Sequence, residues 1–234
     1  AVIYYGGKKQ SVTHDSIIPD IAILEPKVLK TLPLYQKKCT MLDALCQGIE
    51  SWWSVNSTED SKQLSKKAVE TIMQWWREYI FENTDESAMH IMEAANLAGQ
   101  AICVTQTTAP HAFSYKITSL YKLPHGHAVA IGLPEIWDFM LAHLERCIDP
   151  RGIEYLSGIF GHISRAMGVP TGPADAVAEF RRMLATLEIG NPSSDHLASD
   201  ISLLTSSVNP IRLRNNPIEL DEQAIRCLYE KIIG

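Results

Sequence analysis

The sequence predicts a mainly α protein: a run of helices from about residue 40 to the C-terminus, preceded by two short strands. Three observations carry this expectation. Apolar residues recur at spacings of three and four through the segments beyond residue 40. The β-branched and aromatic runs come first, before residue 27. Two short strands do not make a stable sheet alone. They therefore read as the tail of a larger sheet whose other strands lie outside this chain.

Taken in order, AVIYYG (1–6) is rich in β-branched and aromatic residues and ends at Gly6-Gly7. IIPDIAILEP (17–26) holds a second expected strand, Ile21 to Leu24, bounded by Pro19 and Pro26. Thr31-Leu32-Pro33 breaks structure again, and a domain boundary is expected near residue 38. Residues 1–38 would then be the strand remnant and residues 39–234 the helical domain. TMLDALCQGIESWWS (40–54) begins the helical run. In 61–82, Leu64, Ala68, Ile72, Trp75, Trp76, Tyr79 and Ile80 trace one face. In 86–104, Ala88, Met92, Ala95, Gly99 and Ile102 do the same, and their small size suggests a close helix crossing. Thr107-Thr108 with Pro110 reads as a helix start, because proline is tolerated in a first turn. Pro124-His125-Gly126 reads as a turn between helices, with His127 opening the next one. Further helices are expected at 151–167, 173–188, 193–207 and 221–233. The unpaired strands AVIYY and IAIL are expected to drive homo-oligomerisation or to leave residues 1–16 disordered.

Composition narrows the function classes. The chain of 234 residues is 46% apolar and 21% charged, ordinary values for a globular protein, with a net charge of −6. Its basic residues are scattered in short pairs such as Lys8/Lys9 and Lys37/Lys38, so a nucleic-acid partner is not expected. No apolar run approaches the roughly 18 to 20 residues of a membrane span. The five cysteines are an odd number and form no C-x-x-C, which argues against a disulfide framework and a thiolate zinc site. A reducing, cytoplasmic compartment is expected.

Three segments can carry chemistry. In the helix from residue 40, Asp43 and Gln47 lie four apart on one face. TTAPHAFSY (107–115) has His111 and Tyr115 four apart, and LPHGHAVAIGLP (123–134) holds His125 in a Pro/Gly-framed turn. Each residue has a bland reading: a lone histidine is commonly a satisfied core or surface group, and Asp43 suits the dipole of a first helical turn. The four tryptophans at 52, 53, 75 and 76 read as core or rim aromatics. Together, however, one carboxylate and two imidazoles with an amide oxygen nearby suit a divalent transition metal with an open position for a substrate oxygen.

At these residues the chain resembles the iron-containing (group III) alcohol dehydrogenases, from about residue 17 to the C-terminus. The resemblance rests on DALCQGIESWWSVNST (43–58), EAANLAGQAI (93–102), TTAPHAFSY and LPHGHAVAIGLP. It implies the all-helical C-terminal domain of a dehydroquinate synthase-like fold. It also implies a metal, Fe(II) or Zn(II), held by Asp43, His111 and His125. Gln47 stands where most members have histidine, and the resemblance puts its amide at the metal. Tyr115 stands where some members have a further active-site histidine, and is the candidate for hydrogen bonding to substrate or relaying a proton.

Within the family the DALCQ segment is similar to that of the phosphonoacetaldehyde reductases. The resemblance thus implies a metal-dependent reductase using NAD(H) or NADP(H) on a small aldehyde or alcohol, with a phosphonate as the favoured substrate. Lys116, Arg212 and Arg214 are the candidate phosphonate partners, each with a solvated surface charge as its alternative. Thr31 and Leu32 are the candidate cofactor contacts. No G-x-G-x-x-G occurs, the nearest stretch being Tyr5-Gly6-Gly7-Lys8, so the nucleotide cradle is expected in a preceding half and this chain alone is expected to be inactive. Two other readings stay open: a family member acting on another small alcohol or aldehyde, and a non-catalytic helical interaction module. The second leaves the three polar groups of the site without a use.

Overall fold

The computed structural model describes residues 2–5, 8–11 and 14–234. The expected Gly6-Gly7 stop, and part of the segment expected to be disordered, lie outside the described residues. The first strand forms where expected, as β1 (Val2–Tyr5). Its partner is β2 (Lys8–Ser11), antiparallel in the register Val2 to Ser11 and Tyr5 to Lys8. The second expected strand does not form: residues 21–25 carry no regular structure, and Ile21 and Ile23 are 79% and 89% exposed. The β-branched pattern of IAIL expresses a fit to a pleated, half-buried surface, and no such surface is beside it. KKQS has no apolar alternation to announce it; it pairs because it directly follows β1. The segment after Ile21–Leu24 instead turns into a short 3-10 helix, Pro26–Thr31, started by Glu25 accepting from the Lys27 amide at 3.1 Å.

The helices follow in the expected order. α1 spans Leu34–Trp53, so helix begins before the expected residue 40 and runs through residue 38. α1 is buried nearly all round and packs against α2 (Glu59–Phe81), α3 (Asp85–Thr105), α5 (His125–Ala142) and α6 (Ile153–Ala166). A helix apolar on every side has to sit inside a bundle. α4 (Ala109–Tyr121) lies against α5, and α7 (Pro173–Thr186) covers α5 and α6. α8 (Leu197–Ser207) and the single turn α9 (Pro210–Leu213) pack on α4, while α10 (Glu222–Ile233) closes on α5 and α8.

Local chemistry sets the boundaries. Thr58 and Ser61 form a reciprocal capping box at the start of α2, Thr84 caps α3, and Asp221 caps α10. Each such cap stabilises its helix by about 1 kcal/mol. At the centre, the Trp53 ring meets Trp137 and Phe160 edge-on at 5.5 and 6.1 Å. The Trp53 indole N–H donates to Thr108 Oγ1 at 2.8 Å, which ties the end of α1 to the start of α4. Trp52, Trp53 and Trp76 are buried and Trp75 half-buried, as the core-or-rim reading expects.

Candidate metal centre

Asp43 sits mid-way along α1, His111 in the first turn of α4 and His125 at the first residue of α5. His125 is therefore helical and His127 lies two residues on in the same first turn, a correction to the turn expected at 124–126. The chain bends at Leu123-Pro124, because Pro124 itself stands as the residue before the helix. His127 is turned away from the other two histidines toward α1 and the 187–196 connection. Its Nδ1 faces the Tyr35 hydroxyl at 2.8 Å and its Nε2 faces the Gly190 carbonyl at 2.7 Å.

What brings His125 to Asp43 is Gly126. A Cβ built there would lie 2.0 Å from the Cys39 carbonyl oxygen and 2.9 Å from Asp43 Cβ. The backbones of α5 and α1 touch at this residue, and only glycine permits that contact. His111 Nε2 is 3.5 Å and His125 Nε2 3.9 Å from the same oxygen, Asp43 Oδ1. The two imidazoles meet edge-to-face at 5.2 Å. One ligand atom from each of the three residues lies within 4.8 Å of the others.

The orientation of both rings is set from outside the trio. His111 Nδ1 bonds Glu50 Oε2, and Glu50 Oε1 accepts from the His111 backbone N–H at 3.0 Å. The Ser114 hydroxyl donates to the His111 carbonyl at 2.8 Å and faces His125 Nδ1 at 3.3 Å. With its own proton committed to that carbonyl, Ser114 accepts from His125 Nδ1–H. With a metal bound, both rings would carry their proton on Nδ1 and turn the Nε2 lone pair toward the point they share with Asp43. His111 Nε2 is buried and makes no hydrogen bond. A buried imidazole nitrogen held without a donor, opposite a carboxylate and a second imidazole nitrogen, is the donor set a divalent cation satisfies. The residues present fit such an ion. Without it, burial opposes charge on His111, but the carboxylates of Glu50 and Asp43 outweigh burial and hold its pKa up at about 10.

Gln47 is close by, one turn beyond Asp43 on α1. Its amide nitrogen donates to Asp43 Oδ2 at 3.0 Å. Tyr115, one turn beyond His111, stacks on the His125 ring at 5.8 Å and 16°. The Arg212 guanidinium lies over the other aromatic partner of this stack, 5.6 Å from the Tyr115 ring centre. Burial raises the Tyr115 pKa, with Arg212 opposing. Of the other expected residues, Lys116 is half-buried on α4 and Arg214 is exposed. Thr31 is exposed and Leu32 half-buried at the end of the 3-10 helix that leads into α1.

Sequence reasoning missed Glu50 as part of the site. The available signal was a carboxylate set among Cys46, Ile49 and Trp53, on the apolar side of a helix. Such a residue is fully buried only when partnered, and Glu50 is 0% exposed.

Comparison with known proteins gives a consistent result. The sequence profile described as Fe-containing alcohol dehydrogenase family, C-terminal, matches residues 38–233. The chain is 32% identical over 231 residues to a phosphonoacetaldehyde reductase of Streptomyces viridochromogenes, covering 96% of this chain and 57% of that protein. It is 24% identical over 227 residues to long-chain-alcohol dehydrogenase 1 of Geobacillus thermodenitrificans, covering 95% and 56%. In structure it is similar to an iron-containing alcohol dehydrogenase from Thermococcus thioreducens, with a TM-score of 0.86 at 23% identity, covering 99% of this chain and 59% of that one. The chain spans little more than half the length of these relatives.

Proposed function

This chain belongs to the Fe-containing alcohol dehydrogenase family, and from that premise we propose that it is the metal-binding half of a nicotinamide-linked aldehyde reductase or alcohol dehydrogenase. The observation that carries the proposal is the convergence of Asp43, His111 and His125 around one point. Fe(II) or Zn(II) at that point would act as a Lewis acid on a substrate oxygen, while NAD(H) or NADP(H) from a nucleotide-binding half would carry the hydride. Thr31 and Leu32, at the entry to α1, are the contacts this chain offers to the cofactor.

The chain's own residues do the rest. Asp43 supplies charge, and Gln47 holds its second oxygen by donating to it. Tyr115 keeps its phenolic proton at neutral pH, since burial raises its pKa, and is the donor to the substrate oxygen. Its stacking also holds the plane of the His125 ring.

For the substrate, we favour phosphonoacetaldehyde, reduced to 2-hydroxyethylphosphonate. Two observations support this: the 32% identity to a reductase of that name, and the Arg212 guanidinium one aromatic ring away from His125. A guanidinium can hold a phosphonate by paired, charge-assisted hydrogen bonds while the aldehyde end reaches the metal. Lys116 and Arg214 are the reserve cations for the same group. The test pairs two experiments. Metal content of the purified chain, beside Asp43→Ala, should be near-stoichiometric in the parent and lost in the variant. With a nucleotide-binding half present, Arg212→Gln should raise KM for phosphonoacetaldehyde about 10- to 100-fold, the range of a lost charged hydrogen bond, and leave KM for butanal unchanged. Equal losses on both aldehydes would remove the phosphonate from the reading and leave a reductase of another small aldehyde.

A further inference from the structure

Glu50 lies seven residues after Asp43 on α1, and no residue in the chemistry above needs it as a ligand. It is nevertheless the most thoroughly committed carboxylate near the site. Its side chain is 0% exposed, and its two oxygens take two different protons of one residue, the His111 backbone N–H and the His111 ring Nδ1–H. The first of these belongs to the opening turn of α4, where Thr108 provides no side-chain cap. Glu50 therefore substitutes for the missing cap from another helix. The second fixes the ring itself.

We propose that Glu50 is the positioning residue of the metal centre. It acts through His111: it holds the imidazole with its proton on Nδ1, aims the Nε2 lone pair at the point shared with Asp43 and His125, and makes that nitrogen a stronger donor by placing a negative charge behind the ring. The proposal rests on the metal reading of Asp43, His111 and His125. Its physical content is an asymmetry between glutamate and glutamine. A carboxylate accepts both protons. A glutamine at the same place accepts only one, and its amide N–H₂ then faces either the backbone N–H, donor against donor, or the ring Nδ1. The latter pushes the ring proton onto Nε2, where it blocks a metal.

The experiment measures Zn(II) and Co(II) affinity by chelator competition across pH 7 to 9 for the parent chain, Glu50→Gln and Asp43→Ala, compares them with proton competition at the ligands fitted out, and adds thermal melting of each metal-free protein. Metal affinity should fall about 10- to 100-fold in Glu50→Gln, the effect of losing a carboxylate behind a metal-binding histidine, with the melt still cooperative. Parent-like affinity in Glu50→Gln, beside loss in Asp43→Ala, would overturn the positioning role and leave Glu50 as a helix cap only. Parent-like affinity in Asp43→Ala would instead overturn the metal reading itself. If Glu50→Gln does not fold, ¹⁵N-histidine NMR of the zinc-loaded parent decides. A protonated Nδ1 and a metal-bound Nε2 on His111 are expected, and the reverse pattern overturns the proposal.

Discussion

His111 and His127 are both buried, yet they titrate in opposite senses. Burial works against the charged form of His111, but Glu50 and Asp43 outweigh it, so the metal-free protein holds a proton there up to about pH 10. A metal has to displace that proton. Affinity for Zn(II) should therefore fall about tenfold for each pH unit below 10, for one proton displaced, and chelator competition across pH 7 to 9 measures it. In the metal-free protein the raised pKa contributes stability that is fully present below the ordinary histidine value of about 6.5 and is lost as pH rises through about 10. His127 runs the other way. Burial lowers its pKa, with the Gly190 carbonyl opposing, and its neutral form donates from Nε2 to that carbonyl while Nδ1 accepts from Tyr35. A second proton would turn Nδ1 from acceptor to donor, reversing the Tyr35 bond and placing a charge in a buried site. As pH falls below about 6.5, the unfolded chain takes up a proton at His127 that the folded one refuses, so stability is lost toward acid. His127→Gln, which keeps one donor and one acceptor but does not titrate, should melt with a flatter profile than the parent between pH 7 and 5.

At the scale of elements, the site depends on how close two helices can come. Gly126 and Gly48 are both helical glycines facing a neighbour, but the neighbours differ. A Cβ at Gly126 meets backbone, at 2.0 Å from the Cys39 carbonyl oxygen, whereas a Cβ at Gly48 meets the end of the Val69 side chain at 3.1 Å. A side-chain end can give way and a carbonyl on a buried helix cannot. Gly126→Ala should cost about 3 kcal/mol or more and should also move His125 away from Asp43, so that metal affinity falls with the melting temperature. Gly48→Ala should stay within about 1 kcal/mol of the parent, because the helix propensity it gains offsets the crowding. Differential scanning calorimetry with metal titration of both variants separates stability from site geometry.

Across the whole molecule, apolar surface is distributed unevenly. The helical bundle buries most of its apolar residues, with exceptions such as Phe81 and Val104 at 58% and 54% exposed, while Ile17, Ile18, Ile21, Ile23 and Val28 are 45 to 89% exposed on one stretch of the N-terminal segment. Exposed apolar residues of this kind favour contact with another protein surface. We expect the chain to self-associate through them. Sedimentation velocity should show a concentration-dependent oligomer that shifts toward monomer in the double variant Ile21→Ser/Ile23→Ser; an unchanged distribution would place the contact elsewhere. Among the described residues no helix is long and apolar enough to cross a membrane.

The sequence by itself determined the helical class and nearly every helix, because each of those segments repeats its apolar residues at 3.6-residue spacing and ends at a residue that caps or cannot continue it. It also announced Asp43, His111 and His125, through residue types whose joint presence has few uses in a core. The tertiary structure alone decided three things. It denied IAIL its strand, since a strand exists only where a second one offers its edge. It made His125 the first residue of α5 and sent His127 elsewhere, since a one-residue difference in where a helix starts swings a side chain by about 100°. And it revealed Glu50 behind His111, 61 residues apart in sequence. Contacts of that range leave no periodic trace in a single chain, because they depend on the crossing of α1 with α4 and not on the spacing within either.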